Sequence, residues 1–272
     1  MSIHFIGGVV RKHLCVAMWS AIVLALVAGA THAWWAALPS IGIAIAMCAW
    51  NRAETARQSS NGLDLAHLEF IESMAQALDA RDPYTAGHSF RVSTYAFEIA
   101  RGLRVAEHDA ETIRVGALLH DIGKIGIPDA ILQKSGRLTP EEYGLIKLHP
   151  QIGRKILEKL GRFQEILPVV ELHHEDYDGS GYPYKLAAER IPLGARIVHV
   201  ADAFDSMVTH RHYRDAFSVD ASIAELLAHA GSQFDPEVVA VLVRLVEQGM
   251  ISAGDPGQTL LRMEVRSEAL TR

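Results

Sequence analysis

From Leu14 to Trp50 the chain carries no Lys, Arg, Asp or Glu, and apolar side chains fill most positions. A helix crosses a bilayer with about 20 such residues, so this run is too long for one span and suits two short ones back to back. Thr31 and His32 are the polar pair near its middle, which predicts a tight turn between a helix over 14–30 and another over 33–50. Trp34, Trp35 and Trp50 fall where interfacial aromatic residues gather, and Pro39 is an irregularity that a membrane helix tolerates. Arg11 and Lys12 precede the first span and Arg52 and Arg57 follow the second, while the loop between them has no basic residue. The preference of basic flanks for the cytoplasmic side predicts that residues 1–13 and everything after the hairpin face the cytoplasm. A competing reading makes Arg11-Lys12 the start of a signal peptide and Thr31-His32-Ala33 its cleavage site, though the second apolar stretch would still act as an anchor.

Beyond a small, polar linker over 51–66, the pattern turns helical. Leu68, Ile71, Ala75 and Leu78 form one apolar stripe, interrupted at Asp82-Pro83, and Val92, Tyr95, Ala96, Ile99 and Leu103 form the next. Thr139-Pro140-Glu141-Glu142 combines an N-capping Thr, Pro at the first helical position and Glu at the third, which predicts a helix start. Ile152, Ile156, Leu157 and Leu160 follow, with Gly161 as the stop. Asp235-Pro236-Glu237 opens a last helix carrying Val238, Val239, Leu242, Leu245 and Val246, closed by Gly249. No segment alternates with the period of a strand. The expectation is an all-α domain over 67–250, with 251–272 as a weakly structured tail.

At 272 residues the chain has room for one sizeable domain and an appendage, and its net charge of -6 argues against broad DNA or RNA binding. An anionic substrate stays compatible, because bound metal ions can dominate the charge of a small pocket. Cys15 and Cys48 both lie in the apolar run, so they cannot staple the later domain and fit no metal-ligand spacing.

The fourteen histidines change the picture more. His120-Asp121 follows the apolar run from Val115 to Leu119 on what reads as a helix, and Lys124 lies one turn on, so the three side chains can converge. Alone, a His-Asp pair is usually a buried histidine hydrogen-bonded to a carboxylate. His88, His149, His173-His174 and Asp202 weaken that reading, each expected at or near a helix end or in the loop beside it. Histidine and carboxylate without thiolate is a ligand set for Fe, Mn or Zn, and a carboxylate can bridge two ions. Two such ions polarise a phosphate and activate water, as phosphodiester hydrolysis requires. The run from His173 to Pro183 adds Gly179, Gly181 and Pro183 next to two histidines, which predicts a tight, fixed loop.

His120-Asp121 with Lys124, and the run ending Gly181-Tyr182-Pro183, resemble the HD-GYP family, a branch of the HD-domain metal phosphohydrolases. Asp82-Pro83-Tyr84-Thr85-Ala86-Gly87-His88, Arg91-Val92, His149-Pro150, Ala201-Asp202-Ala203-Phe204-Asp205 and Phe234-Asp235-Pro236 extend the resemblance over roughly 67–248. It implies an HD-type helical bundle with Fe or Mn ions that opens cyclic di-GMP to the linear dinucleotide pGpG or to GMP; together with the apolar hairpin, this leads to the expectation of a protein anchored in a bacterial inner membrane. By that resemblance His88, His120, Asp121 and Asp202 hold one ion, and Asp121 bridges to a second held by His149, His173 and His174. Lys124 faces the substrate phosphate, Tyr182 lines the site, and Arg211 and Arg214 clasp phosphate. Some relatives carry a Glu for a third ion where this chain has Tyr84, so two ions are expected here. Gln133, Ser135 and His212 depart from the family pattern without touching a ligand position. Asp205 stands outside the ligand set, His199, His210, His212 and His229 read as ordinary residues, and Glu175, Asp176 and Asp178 as loop-ordering ones. A homodimer through the linker helix is a further expectation. Hydrolysis of another nucleotide, a diiron oxygenase and a non-catalytic nucleotide-binding module remain the competing functions.

Overall fold

The computed structural model describes residues 70–81, 87–134, 136–209 and 216–252. The predicted membrane hairpin, the linker, Tyr84, Arg211, Arg214 and most of the tail lie outside them. No described helix is long and apolar enough to cross a membrane.

The described residues are helical, with no strand among them; the isolated bridge between Ala230 and Phe234 is the sole β pairing recorded there. A helical stretch over 70–81 buries Ile71, Ala75 and Leu78, the stripe expected from their spacing. The longer helices are α1 (His88–Gly102), α2 (Glu107–Leu118), α4 (Pro140–Ile146), α5 (His149–Leu157), α6 (Leu167–Leu172), α7 (Leu193–Val208), α8 (Val219–Ala228) and α9 (Pro236–Glu247), with the single turn α3 (Asp129–Leu132) after α2. Local chemistry sets several ends. Thr139 and Glu142 form the reciprocal capping box at α4, the Ser218 hydroxyl accepts from Ala221 N–H at α8, and the Asp235 carboxylate accepts from Glu237 N–H at α9. Gly249, at φ +65°, turns the chain away after α9 in the left-handed conformation that glycine adopts freely.

α7 runs through the middle of the core. Its Ile197, Val198, Ala201 and Phe204 pack among Val92, Tyr95 and Ile99 of α1 and Val238 and Leu242 of α9. The rings of Tyr95 and Phe204 meet edge to face at 5.7 Å. A second cluster joins Ile71 and Ala75 to Leu118, Leu119, Ile122, Leu157, Leu167 and Val170. The histidines and aspartates expected to carry chemistry lie on or beside the helices that build these clusters.

Two elements depart from the expectation. α2 stops at Leu118, so His120 and Asp121 lie on a turn and Lys124 on a 3-10 segment, Ile122–Gly126, instead of on one continuous α-helix. The cause is close packing: a Cβ on Gly123 would overlap the His149 carbonyl and come within 2.5 Å of Gly153 N. The chain must tighten there to pass under the first turn of α5. α5 also ends at Leu157, and Gly161 opens a 3-10 turn, Gly161–Phe163, instead of stopping the helix.

Candidate metal centre

Chain ends of helices deliver most of the site. His88 is the first residue of α1, behind Gly87 at φ +68°. His120 and Asp121 follow α2, His149 opens α5, and His173-His174 follow α6. Asp202 differs from its expected place at a helix end: it lies in the interior of α7, where a straight, well-packed helix sets its position.

The ligand-type atoms gather in three overlapping groups: His88, His120 and Asp202; His120, Asp121 and His173; and His149, His173 and His174. Within each group the atoms lie within 4.8 Å of one another. Asp121 joins them, with Oδ2 3.4 Å from His120 Nε2 and Oδ1 3.2 Å from His149 Nε2. Lys124 Nζ reaches Asp121 Oδ2 at 2.7 Å. Arg211 and Arg214 lie outside the described residues, and the structure does not bear on their expected role.

The hydrogen bonds around the rings settle which nitrogen faces inward. His120 Nδ1 meets the Ala117 carbonyl at 2.6 Å, His149 Nδ1 that of Ile146 at 2.8 Å, and His173 Nδ1 that of Val170 at 2.9 Å. A carbonyl only accepts, so each Nδ1 carries a proton and donates and Nε2 is the nitrogen turned to the centre; burial favours the neutral rings of His149 and His173, whose Nε2 then presents a bare lone pair. His149 Nε2 and His173 Nε2 then face each other at 3.3 Å. Two lone pairs at that distance repel unless a cation lies between or beside them, so the donor set fits a divalent ion.

Charge follows the same logic. Burial resists ionisation of Asp121, but Lys124 and the surrounding histidines outweigh it and hold the carboxyl well below the usual carboxylate range. Asp202 is likewise held low against its burial, chiefly by the His88 ring. Burial lowers His173 and His174 well below the ordinary imidazole range, and the neighbouring histidines add to the effect. His88 moves the other way: burial opposes its charge, yet hydrogen bonds to Asp202 and Asp205 push it up to about 10.

Several supports were not legible as such. Asp205 accepts from His88 Nδ1 at 2.8 Å and from Arg91 Nε and Nη2 at 2.6 and 3.0 Å, a two-pronged clamp that fixes the ring from behind. The Asp205–Asp202 spacing hinted at it, whereas nothing marked Arg91's partner. Arg81 donates to the carbonyls of Lys124 and Ile127 and to Asp129, bracing the 3-10 segment. His199, read as ordinary, is buried and donates through Nδ1 to the Glu175 carbonyl at 2.9 Å. Glu175 is itself buried and accepts from Tyr184 and Leu186 N–H, and Asp178 accepts from Ser180 N–H, so both order the loop as expected.

That loop presents Tyr182. A Cβ on Gly181 would overlap Asp176 N and approach Glu175 Cα within 2.7 Å, so only glycine lets the strand of loop fold back on itself. The Tyr182–Pro183 bond is cis. The Tyr182 ring stacks on His174, with centroids 4.9 Å apart and planes at 27°. Burial, then the neighbouring Tyr143 and the nearby carboxylates, raise its hydroxyl far above the usual range, so it stays a proton donor.

A helical bundle with paired histidine and aspartate clusters along its seam is the architecture of an HD-type protein. A family model described as HD domain matches residues 72–238, more than half of the chain, and the chain belongs to that family, in its HD-GYP branch. It is 42% identical over 188 residues to the cyclic di-GMP phosphodiesterase response regulator RpfG of Xanthomonas campestris pv. campestris, covering 68% of this chain and 50% of that protein. It is 40% identical over 181 residues to the 3'3'-cGAMP-specific phosphodiesterase 3 of Vibrio cholerae, covering 66% of this chain and 39% of that one. The chain thus spans half or less of these relatives. The crystal structure of a cyclic GMP-AMP specific phosphodiesterase of V. cholerae shares the fold, with a TM-score of 0.53 at 22% identity over 71% of this chain and 49% of that one.

Proposed function

We propose that this chain is a metal-dependent phosphodiesterase that opens a cyclic dinucleotide, with cyclic di-GMP as the first substrate to expect and pGpG or GMP as product. The observation that carries the reading is the pair of facing Nε2 lone pairs on His149 and His173, flanked by a carboxylate whose two oxygens reach towards different histidines. His88, His120, Asp121 and Asp202 would hold one divalent ion and Asp121, His149, His173 and His174 a second, with Fe or Mn suited to this nitrogen and oxygen set. Ions bound there supply Lewis-acid polarisation of a phosphoryl oxygen and activation of water at neutral pH. The protein's own groups do the rest. The Nδ1 hydrogen bonds orient the imidazoles of His120, His149 and His173, and Lys124 offers an ammonium beside Asp121 for the scissile phosphate. Tyr182 keeps its proton and offers an O–H at the mouth. Arg211 and Arg214 are assigned to the second phosphate on the resemblance alone.

The relatives' names support the substrate class, one acting on cyclic di-GMP and another on 3'3'-cGAMP. Metal analysis of anaerobically purified protein, coupled to hydrolysis of both dinucleotides, tests the reading. Turnover that scales with metal content is expected. Full metal content with no turnover of either would make the domain a binding module instead. The hairpin over 14–50 is proposed to anchor the domain on the cytoplasmic side, and the linker after it is the proposed contact between two copies. An active periplasmic reporter fused after Arg57 would refute the anchor's orientation.

A further inference from the structure

We propose that Tyr143 and Lys147 form a guanine-selecting subsite at the mouth of this centre. The inference rests on the phosphodiesterase reading and adds the base that the site prefers. Lys147 lies on the turn between α4 and α5, two residues before His149. Its ammonium stands 4.7 Å from the Tyr143 ring centroid and 5.0 Å from that of Tyr182. Tyr182 in turn stacks on His174, so the lysine is one aromatic ring beyond a candidate metal ligand. No carboxylate pairs with Lys147 among the described residues; two ring faces hold its charge instead.

The platform under it is stiff. α4 is fixed at its start by the Thr139–Glu142 capping box, and Lys134 Nζ reaches both Glu142 oxygens at 2.7 Å. α4 buries none of its side chains, and the Tyr143 ring is 49% exposed, an aromatic surface beside the site entrance. The chain of contacts from Tyr143 through Lys147 and Tyr182 to His174 links this surface to the histidine cluster. Aromatic rings stack on any base, so Tyr143 gives affinity without discrimination. Lys147 discriminates, because an ammonium has donors and no acceptor. Guanine presents N7 and O6, both acceptors, on the edge where adenine presents N7 and an amino donor.

Binding of GMP and AMP to metal-loaded protein, measured by calorimetry, separates the two contributions without turnover. Lys147→Met is expected to weaken GMP about tenfold and to leave AMP within about twofold. Tyr143→Ala is expected to weaken both by about tenfold. Metal content and melting temperature should match wild type in each variant, since Tyr143 is exposed on α4 and Lys147 is only half-buried beyond its end. Equal loss of GMP and AMP in Lys147→Met would overturn the proposal by making the lysine a phosphate contact. No loss of either would overturn it by making the lysine a spacer between rings. Wild-type hydrolysis of cyclic di-GMP that persists unchanged in both variants would sink this inference alone. A wild-type protein that binds neither nucleotide and cleaves no cyclic dinucleotide would sink the phosphodiesterase reading with it.

Discussion

One oxygen of Asp121 lies 3.2 Å from the Nε2 of His149 and the other 3.4 Å from that of His120. Removing this carboxylate takes a negative charge from both halves of the site, whereas removing the His149 imidazole takes a neutral donor from one. On the proposed two-ion reading, Asp121→Ala should lose both ions and all turnover, and His149→Ala should retain one ion with little activity. Metal-to-protein ratios of the two variants check this; equal, wild-type ratios would refute the shared carboxylate. The donors themselves were legible because they recur in motifs of fixed spacing. Their supports were not, because the contacts that define them are remote: Arg91 and Asp205 are 114 residues apart in sequence and 2.6 Å apart in space. Only the fold brings such a pair together, and no local pattern of either residue announces its partner.

The 3-10 segment Ile122–Gly126 owes its tightness to Gly123, whose backbone lies against the first turn of α5. Gly123→Ala should push the segment carrying Asp121 and Lys124 away from His149, costing roughly 1–3 kcal/mol of stability, as overpacking does, together with metal affinity. Gly144→Ala is the control, since a Cβ there meets nothing within 4 Å and the helix should gain a few tenths to about 1 kcal/mol. Chemical unfolding with metal titration checks both; a Gly123 variant of wild-type stability would show that the seam can relax. The helices with strong caps, α4 and α9, were readable because the capping residues are local signals. The break after Leu118 was not, because apolar spacing continues through it and the cause is a backbone contact with a helix some thirty residues later in the chain.

For the whole domain without metal, protonation of the centre sets a pH dependence of opposite sign on either side of the ordinary imidazole range. His149, His173 and His174 lie below their ordinary value of 6.5, mainly through burial, so below that pH the unfolded chain takes up protons that the folded one refuses. Stability should fall as the solution is acidified from there. His88, pushed up to about 10 by its two aspartates against its burial, contributes stability that is complete below 6.5 and lost as pH rises through 10. Urea midpoints of the metal-free protein should thus peak near neutrality and decline on both sides; a midpoint that climbs below pH 6.5 would contradict the buried neutral histidines. The core and the clusters along its seam followed from periodicity and motif, while the balance of charges between them depends on burial that only three dimensions define.

The carbonyls that hold His120, His149 and His173 belong to the last turns of α2, α4 and α6. Three helices therefore turn the negative ends of their backbone dipoles to the site, while α1 and α5, which begin at His88 and His149, turn their positive ends to it. Backbone ends of both signs offset one another there, so the ionised carboxylates of Asp121 and Asp202 are left to attract a cation. On the proposed function an order of assembly is expected from this: metal first, drawn by the carboxylates, and an anionic ligand after it.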